Sequence, residues 1–264
     1  MRISGLVVCK NEADRIDACL RSLSFCDEIV VVDSGSTDDT VAIAQRHGAR
    51  VIERPWKNAN DQKEFGRQQA QGTWLVNLDA DEVVSDALRD EILALVERGG
   101  DDGVDAYLAP FKNYFRTAWV RRCGYYPDPH VRFIRRAGAR WDLETPVHDN
   151  VLADGATRML KGHVEHHSFH SMEHYVDKSK AYAEGFARHA HAQGRRASAP
   201  TILLHTGWRF FRIYVLKGGF LEGALGLTIA GLQAFDVFRK YTRLWELGRF
   251  PPEEDVGEGA PPSA

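Results

Sequence analysis

The sequence predicts an α/β fold with a mainly parallel sheet, followed by a helical extension rich in basic and aromatic residues. Three observations predict it. The first hundred residues alternate strand-like and helix-like runs, which implies right-handed β-α crossovers. Short polar loops carrying acids follow three of those strands. After residue 200 the composition shifts to aromatics at helical spacing among arginines.

In chain order, residues 3–9 form a strand run, and Ile16, Leu20 and Leu23 recur at helical spacing up to Cys26. Residues 28–32 are a β-branched run of the kind buried on both faces. Ser36 or Thr37 is placed to cap the next helix, with Asp38 and Asp39 at its positive dipole end. That helix stops near His47-Gly48, where glycine takes the left-handed cap. A short strand at 50–53, a helix from about Asn60 to Gly72 and a strand over 73–78 follow. Leu88, Ile92 and Leu95 mark another helix. From about Gly103 the pattern turns to short strands, 106–109 and 131–134 among them. A helix is predicted over 172–192. The expected organisation is one domain over 1–200, with halves 1–100 and 101–200, a helical extension over 201–249 and a disordered tail over 250–264.

With 264 residues, 44% hydrophobic and 27% charged, the chain can bury a sizeable core. A net charge of −3 argues against a nucleic-acid partner. Cys9, Cys19, Cys26 and Cys123 lack CxxC or ligand spacing and read as buried, reduced thiols. No secretory signal pattern precedes the first strand. The most apolar stretch, 218–235, contains Glu222 and several glycines, and reads as touching a membrane rather than crossing it.

Parallel sheets bind ligands beyond the carboxyl ends of their strands. Residues 9–12, 33–36 and 79–82 are therefore three edges of one candidate site. Asp79 and Asp81, at i and i+2, share one side of an extended chain and could hold Mg²⁺ or Mn²⁺. A solvated acidic turn is the alternative for such a pair taken alone. Asp33 could accept hydrogen bonds from a base or ribose, or make an Asx turn. Asn11 and Glu12 read as ligand contacts or helix-capping residues. Lys63 and Arg67 could offer positive charge to a ligand, or form a solvated helix face.

Val7-Val-Cys-Lys-Asn-Glu12, Val30-Val-Val-Asp-Ser-Gly-Ser-Thr-Asp38 and Asn77-Leu-Asp-Ala-Asp-Glu82 resemble the nucleotide-sugar domain of glycosyltransferase family 2, with its Rossmann-like GT-A fold. Arg132-Phe-Ile-Arg-Arg136, Val147-His-Asp149, Glu165-His-His-Ser-Phe169, the 175–182 stretch with Lys178, Gly219-Phe-Leu-Glu-Gly223 and Phe238-Arg-Lys-Tyr241 resemble its bacterial lipopolysaccharide-core glucosyltransferase branch. The resemblance covers about residues 1–248. It implies an inverting transfer from a nucleotide sugar, often UDP-glucose, to a glycolipid acceptor. By position, Asn11, Glu12 and Asp33 would contact nucleotide, and Asp79 and Asp81 would serve metal and diphosphate. Many family members carry a second acid where this chain has Ser34, so the base need not be uracil.

An inverting transfer needs a carboxylate to take the acceptor hydroxyl's proton. Glu144, Asp149 and Glu165 are the downstream candidates, each of which could instead be a surface ion-pair partner. Asp149 is favoured, because it stands in place of the acid in the branch's Val-His-Glu-like motif. Glu144 is second, and Asp142 reads as a turn residue. His163, His166, His167, His170 and His174 fall at helical spacing, without a zinc signature. His166 is read as closing over the donor site beside metal or diphosphate, or as a structural histidine.

Trp208, Phe211 and Val215 follow helical spacing, as do Ala234, Phe238, Tyr241 and Trp245. From 205 to 249 there are seven basic and three acidic residues, a net of +4. Such a face could lie on the anionic inner surface of the cytoplasmic membrane, or pack on the core or another subunit. The expectation is a cytoplasmic, peripherally bound transferase. A transferase for another acceptor such as capsule or protein, or a catalytically silent nucleotide-sugar-binding subunit, is the alternative.

Overall fold

The computed structural model describes residues 2–144, 150–169 and 172–250. Residues 251–264 of the expected tail, and Asp149, lie outside the described residues. By backbone contacts the chain divides into two compact units, Met1–Arg121 with Tyr125–Ser168, and Arg122–Gly124 with Phe169–Ala264. The helix over 172–192, expected in the acceptor half, groups with the C-terminal helices.

The first unit begins with β1 (Ile3–Cys9), α1 (Ile16–Ser22), β2 (Glu28–Asp33), α2 (Thr40–Arg46), β3 (Arg50–Glu53), α3 (Ala59–Gln69) and β4 (Trp74–Asp79). The four strands pair in parallel in the order β3-β2-β1-β4. α2 starts later than its sequence suggests. The Thr37 N–H donates to Asn11 Oδ1 at 2.8 Å, and Asp38 accepts from the Thr40 N–H at 3.0 Å. The expected capping residues are thus spent joining two loops.

The unit continues with β5 (Glu82–Val84), α4 (Asp86–Glu97), β6 (Val104–Phe115), β7 (Ala118–Trp119), β8 (Pro129–Arg135), β9 (Ala139–Trp141), β10 (Val151–Ala153), β11 (Ala156–Met159) and β12 (Val164–Phe169). β6 runs well past the predicted 106–109. β8 pairs antiparallel with both β4 and β6, and β12 lies between β6 and β5, so an antiparallel half extends the parallel one. His163 precedes a strand and His166 and His167 lie on it, which overturns the helical spacing read for them.

Alternation along β4 sorts the core. Trp74, Val76 and Leu78 pack with Leu20 and Leu88 on one face. Leu75 packs with Leu6, Val30 and Val32 on the other, beneath α3. Trp74 stacks on Phe133 with ring centroids 4.9 Å apart. α3 approaches β1 closely at Gly66, where a Cβ would stand 2.3 Å from Leu6 Cδ1. All four cysteines are free, and Cys9, Cys19 and Cys123 are buried.

The second unit contains α5 (Met172–Ala192), α6 (Ala199–Phe211) and α7 (Gly223–Arg249). A π-helical turn (Arg212–Leu216) and a 3₁₀ turn (Gly219–Glu222) join α6 to α7. Ala187, Ala190 and Leu244 form an apolar contact between α5 and α7. Arg239 donates to Val176 O at 3.0 Å and Ser179 Oγ at 2.7 Å. Arg243 pairs with Glu184 at 2.7 Å and Glu246 at 3.1 Å. These two arginines, expected on a membrane-facing surface, instead hold α7 to α5 and complete its last turns. Among the described residues one helical stretch, Gly219–Arg249, is long and apolar enough to cross a membrane, and 33% of its most apolar window is buried.

Candidate active site

The carboxyl ends of the parallel strands bring the predicted loops together. Cys9 pairs with Asp33 on one side of β1, and Val8 pairs with Asp79 on the other. Asn11 takes a left-handed backbone (φ 54) and its N–H donates to Ser36 Oγ at 2.8 Å. The Glu12 N–H donates to Thr40 Oγ1 at 2.7 Å. The loops after β1 and β2 therefore form one stitched rim.

Asp33 is buried, and its Oδ2 accepts the N–H groups of Gly35 at 2.9 Å and Ser36 at 2.8 Å. Its carboxylate shapes the turn, and Gly35 (φ 82) supplies the left-handed backbone that turn needs. Ser34, also buried, accepts from Gln62 Nε2 of α3 at 3.2 Å.

The acidic loop after β4 is the centre of charge. Lys63 of α3 reaches Asp79 Oδ1 at 2.9 Å, and Arg132 of β8 lies 3.6 Å from Asp79 Oδ2. Arg132 also donates from Nε and a terminal nitrogen to the two Glu82 oxygens, both at 2.7 Å. Glu82 in turn accepts the Asp79 N–H at 3.1 Å, so the pair fixes the tight turn carrying Asp81. Burial pushes the Glu82 carboxyl's pKa up, and Arg132 opposes it.

β5 pairs with β12 so that Glu82 faces His166. His166 Nε2 lies 3.5 Å from Asp81 Oδ2, while its Nδ1 meets Asn113 Oδ1 at 2.8 Å. Arg15 stands 3.6 Å from Asp81 and 3.3 Å from Glu12. Burial favours a neutral His166, but the carboxylates of Asp81, Glu82 and Asp79 prevail and hold its pKa above the usual histidine value.

Asp81, Glu82 and His166 offer ligand atoms all within 4.8 Å of one another. Carboxylate oxygen and imidazole nitrogen suit Mn²⁺, and carboxylate oxygen suits Mg²⁺ as well. Glu82 is the poorest ligand of the three, because both its oxygens already accept from Arg132. Asp81 and His166 could hold the ion, with Asp79 at the opening beside them.

The sequence reading therefore names residues that do converge: Asp79, Asp81, His166 and Lys63. It places Lys63 toward a ligand, whereas the fold places it on Asp79. Arg132 and Asn113 join the site without having been expected there, although Arg132 heads one of the family-like motifs, and Glu82, part of the expected 79–82 edge, serves as the partner of Arg132. Glu144 lies after β9, its N–H donating to Asp142 Oδ1 at 2.9 Å in the expected turn. That loop docks on α3: Asn60 Nδ2 donates to Asp142 O at 2.7 Å and the Trp141 N–H to Glu64 Oε2 at 3.1 Å. Glu144 lines a cavity there of about 400 Å³ with Glu64, Trp141 and Leu152.

The family model for glycosyl transferase family 2 matches residues 4–147, which carry all of this site except His166. The chain belongs to glycosyltransferase family 2. It is 31% identical over 254 residues to an uncharacterized glycosyltransferase of Rickettsia felis, spanning 93% of this chain and 90% of that one. To the lipopolysaccharide core biosynthesis glycosyltransferase LpsC of Rhizobium meliloti it is 29% identical over 257 residues, 90% of this chain and 93% of the relative. The family 2 assignment agrees with the GT-A architecture expected from the motifs. Among solved structures it is similar to glucosyl-3-phosphoglycerate synthase from Mycobacterium tuberculosis, determined with Mn²⁺, UDP and glucosyl-3-phosphoglycerate. That likeness is 25% identical, with a TM-score of 0.35, and covers 44% of each chain, less than half of that structure.

Proposed function

We propose that this family 2 glycosyltransferase is an inverting, metal-dependent enzyme that moves a sugar, glucose foremost, from a UDP-sugar to a glycolipid acceptor of the lipopolysaccharide-core kind. The observation that carries the reading is the convergence of Asp79, Asp81 and His166 at the carboxyl end of β4, braced by Lys63 and Arg132. The likeness to LpsC along nearly the whole chain supports the acceptor class. The work of such an enzyme is at the inner face of the cytoplasmic membrane, where the acceptor's lipid resides.

In this reading Asp81 and His166 hold Mg²⁺ or Mn²⁺, and Asp79 faces the diphosphate. Bound there, the metal would offset the charge that develops on the leaving diphosphate. Lys63 keeps the Asp79 carboxylate in place, and Arg132 fixes Glu82 and hence the turn that presents Asp81. Asn11, Glu12 and the turn shaped by Asp33 form the rim that receives the nucleotide. The acceptor oxygen bonds to the anomeric carbon as the carbon–diphosphate oxygen bond breaks, and its proton passes to a carboxylate. Asp149 is the favoured acceptor of that proton, with Glu144 second.

Purified protein with Mn²⁺ is to be screened against UDP-, GDP- and dTDP-sugars for release of nucleoside diphosphate. Release from UDP-glucose above the others supports the donor assignment. Release from none, with or without a lipid acceptor, would favour a silent sugar-nucleotide-binding protein.

A further inference from the structure

A cavity of about 200 Å³ in the second unit is lined by Phe186 of α5, His205, Trp208 and Arg209 of α6, Arg212 beyond it, and Lys240 and Tyr241 of α7. Three cations meet aromatic walls there, and among the described residues no acid lines the cavity. Among the described residues Arg209, Arg212 and Lys240 make no ion pair, in contrast to Arg243 on the same bundle, which pairs with Glu184 and Glu246. Arg209 and Arg212 stand at i and i+3, so they share one side of the helix. Tyr241 is held against His205 with ring centroids 4.3 Å apart, which makes the wall rigid.

Three cations that no carboxylate neutralises repel one another, and an anion brought between them relieves that repulsion. The surface beside the cavity is apolar. Among the described residues α6 buries none of its own side chains. Leu203, Leu204, Trp208 and Phe211 are exposed along it, and Val215, Leu216, Phe220 and Leu221 continue the exposure past its end. A small cationic pocket beside rings and leucines matches one kind of molecule, an amphiphile with a phosphate at its head.

We propose that the cavity formed by Arg209, Arg212, Lys240 and Tyr241 binds the phosphate of an anionic membrane lipid, with the exposed face of α6 seated in the acyl region. This deepens the membrane part of the proposed function and rests on it. It moves the contact from the whole basic segment to one pocket and one helix face. Arg239 and Arg243 have no part in it.

The test is flotation of the full chain with vesicles of phosphatidylcholine alone, or with one third phosphatidylglycerol, in the absence of any donor. The wild type should float with the anionic vesicles and weakly with neutral ones. Arg209→Gln, Arg212→Gln and Lys240→Gln together should weaken anionic binding by at least about tenfold. Removing equal charge elsewhere, by Arg46→Gln, Arg116→Gln and Lys161→Gln, should change it less than about twofold. Melting curves establish that both triple variants fold, and Lys240→Gln alone serves if the first does not. Equal loss in both triples would mean diffuse attraction and overturn the pocket. Displacement by inorganic phosphate at matched ionic strength would assign the pocket to a free phosphate compound instead. Failure of the wild type to float overturns the proposal, and leaves nucleotide release, measured without lipid, as the separate test of the donor site.

Discussion

Lys63 Nζ lies 2.9 Å from Asp79 Oδ1, the lysine side chain 2% exposed and the aspartate 38% exposed. A cation so deeply desolvated is tolerable only with a carboxylate in contact. The pairing ties α3, through β4, to the loop that carries Asp81. Lys63→Met removes the charge at similar length. The expected cost in stability is about 1–2 kcal/mol by urea unfolding, because Asp79 keeps both solvent and Arg132. Nucleotide release should fall about 100-fold. An unchanged rate would remove Lys63 from the working site.

The register of that contact depends on how closely α3 sits on β1. Gly66→Ala would drive a Cβ into Leu6, and the expected loss is about 1–3 kcal/mol despite alanine's better helix propensity. Shortening Leu6 to Val in the same chain should recover part of the loss in denaturant midpoint. Full stability of Gly66→Ala alone would show that α3 shifts freely.

Arg132 serves two carboxylates at once, and lysine cannot reproduce its two-pronged contact with Glu82. Arg132→Lys should lower release by about 10- to 100-fold and weaken metal-dependent donor binding. If Arg132→Lys matched the wild type in both, the turn carrying Asp81 would not need this brace.

The order of the parallel half could be read from alternation and turn residues, since β-branched runs such as 28–32 are buried on both faces and Gly48 marks a helix end. The acids at strand ends followed from the rule that sites lie beyond carboxyl ends. Arg132 was less legible: its partner Glu82 is fifty residues earlier, and nothing local shows that β8 joins β4 antiparallel. His166 shows the same limit. Its helical spacing with neighbouring histidines comes from the sequence, but pairing of β12 with β5 makes it a strand residue facing Asp81 and Glu82. Arg239 and Arg243 looked like surface charge until α5 supplied Ser179 and Glu184 as partners.

Glu184 offers a pH test of the second unit. Hydrogen bonds from Arg243 and Arg188 hold its carboxyl down to about 2. A depressed carboxyl contributes stability that is present above its unfolded value, near 4.3, and lost as pH falls toward about 2. The groups are about one-third exposed, so the contribution is under about 1 kcal/mol. Unfolding curves of Glu184→Gln should be lower than wild type at pH 7 and converge with it near pH 2. A constant gap across that range would assign the difference to packing.

Replacement of the two candidate bases separates their roles. Asp149→Asn should cut transfer by about 10²–10⁴-fold with donor affinity nearly unchanged, because a general base acts in the transition state. Glu144→Gln should have a lesser effect. The reverse pattern, measured by initial rates with acceptor present, would give the role to Glu144.

In the proposed mechanism Asp81 makes donor binding depend on a divalent ion. Isothermal calorimetry of UDP-glucose, with and without Mn²⁺, tests it in the wild type and in Asp81→Asn. Mn²⁺ should strengthen donor binding to the wild type by at least about tenfold, and Asp81→Asn should fold normally but show no such gain. Equal donor and Mn²⁺ binding by Asp81→Asn and the wild type would contradict it.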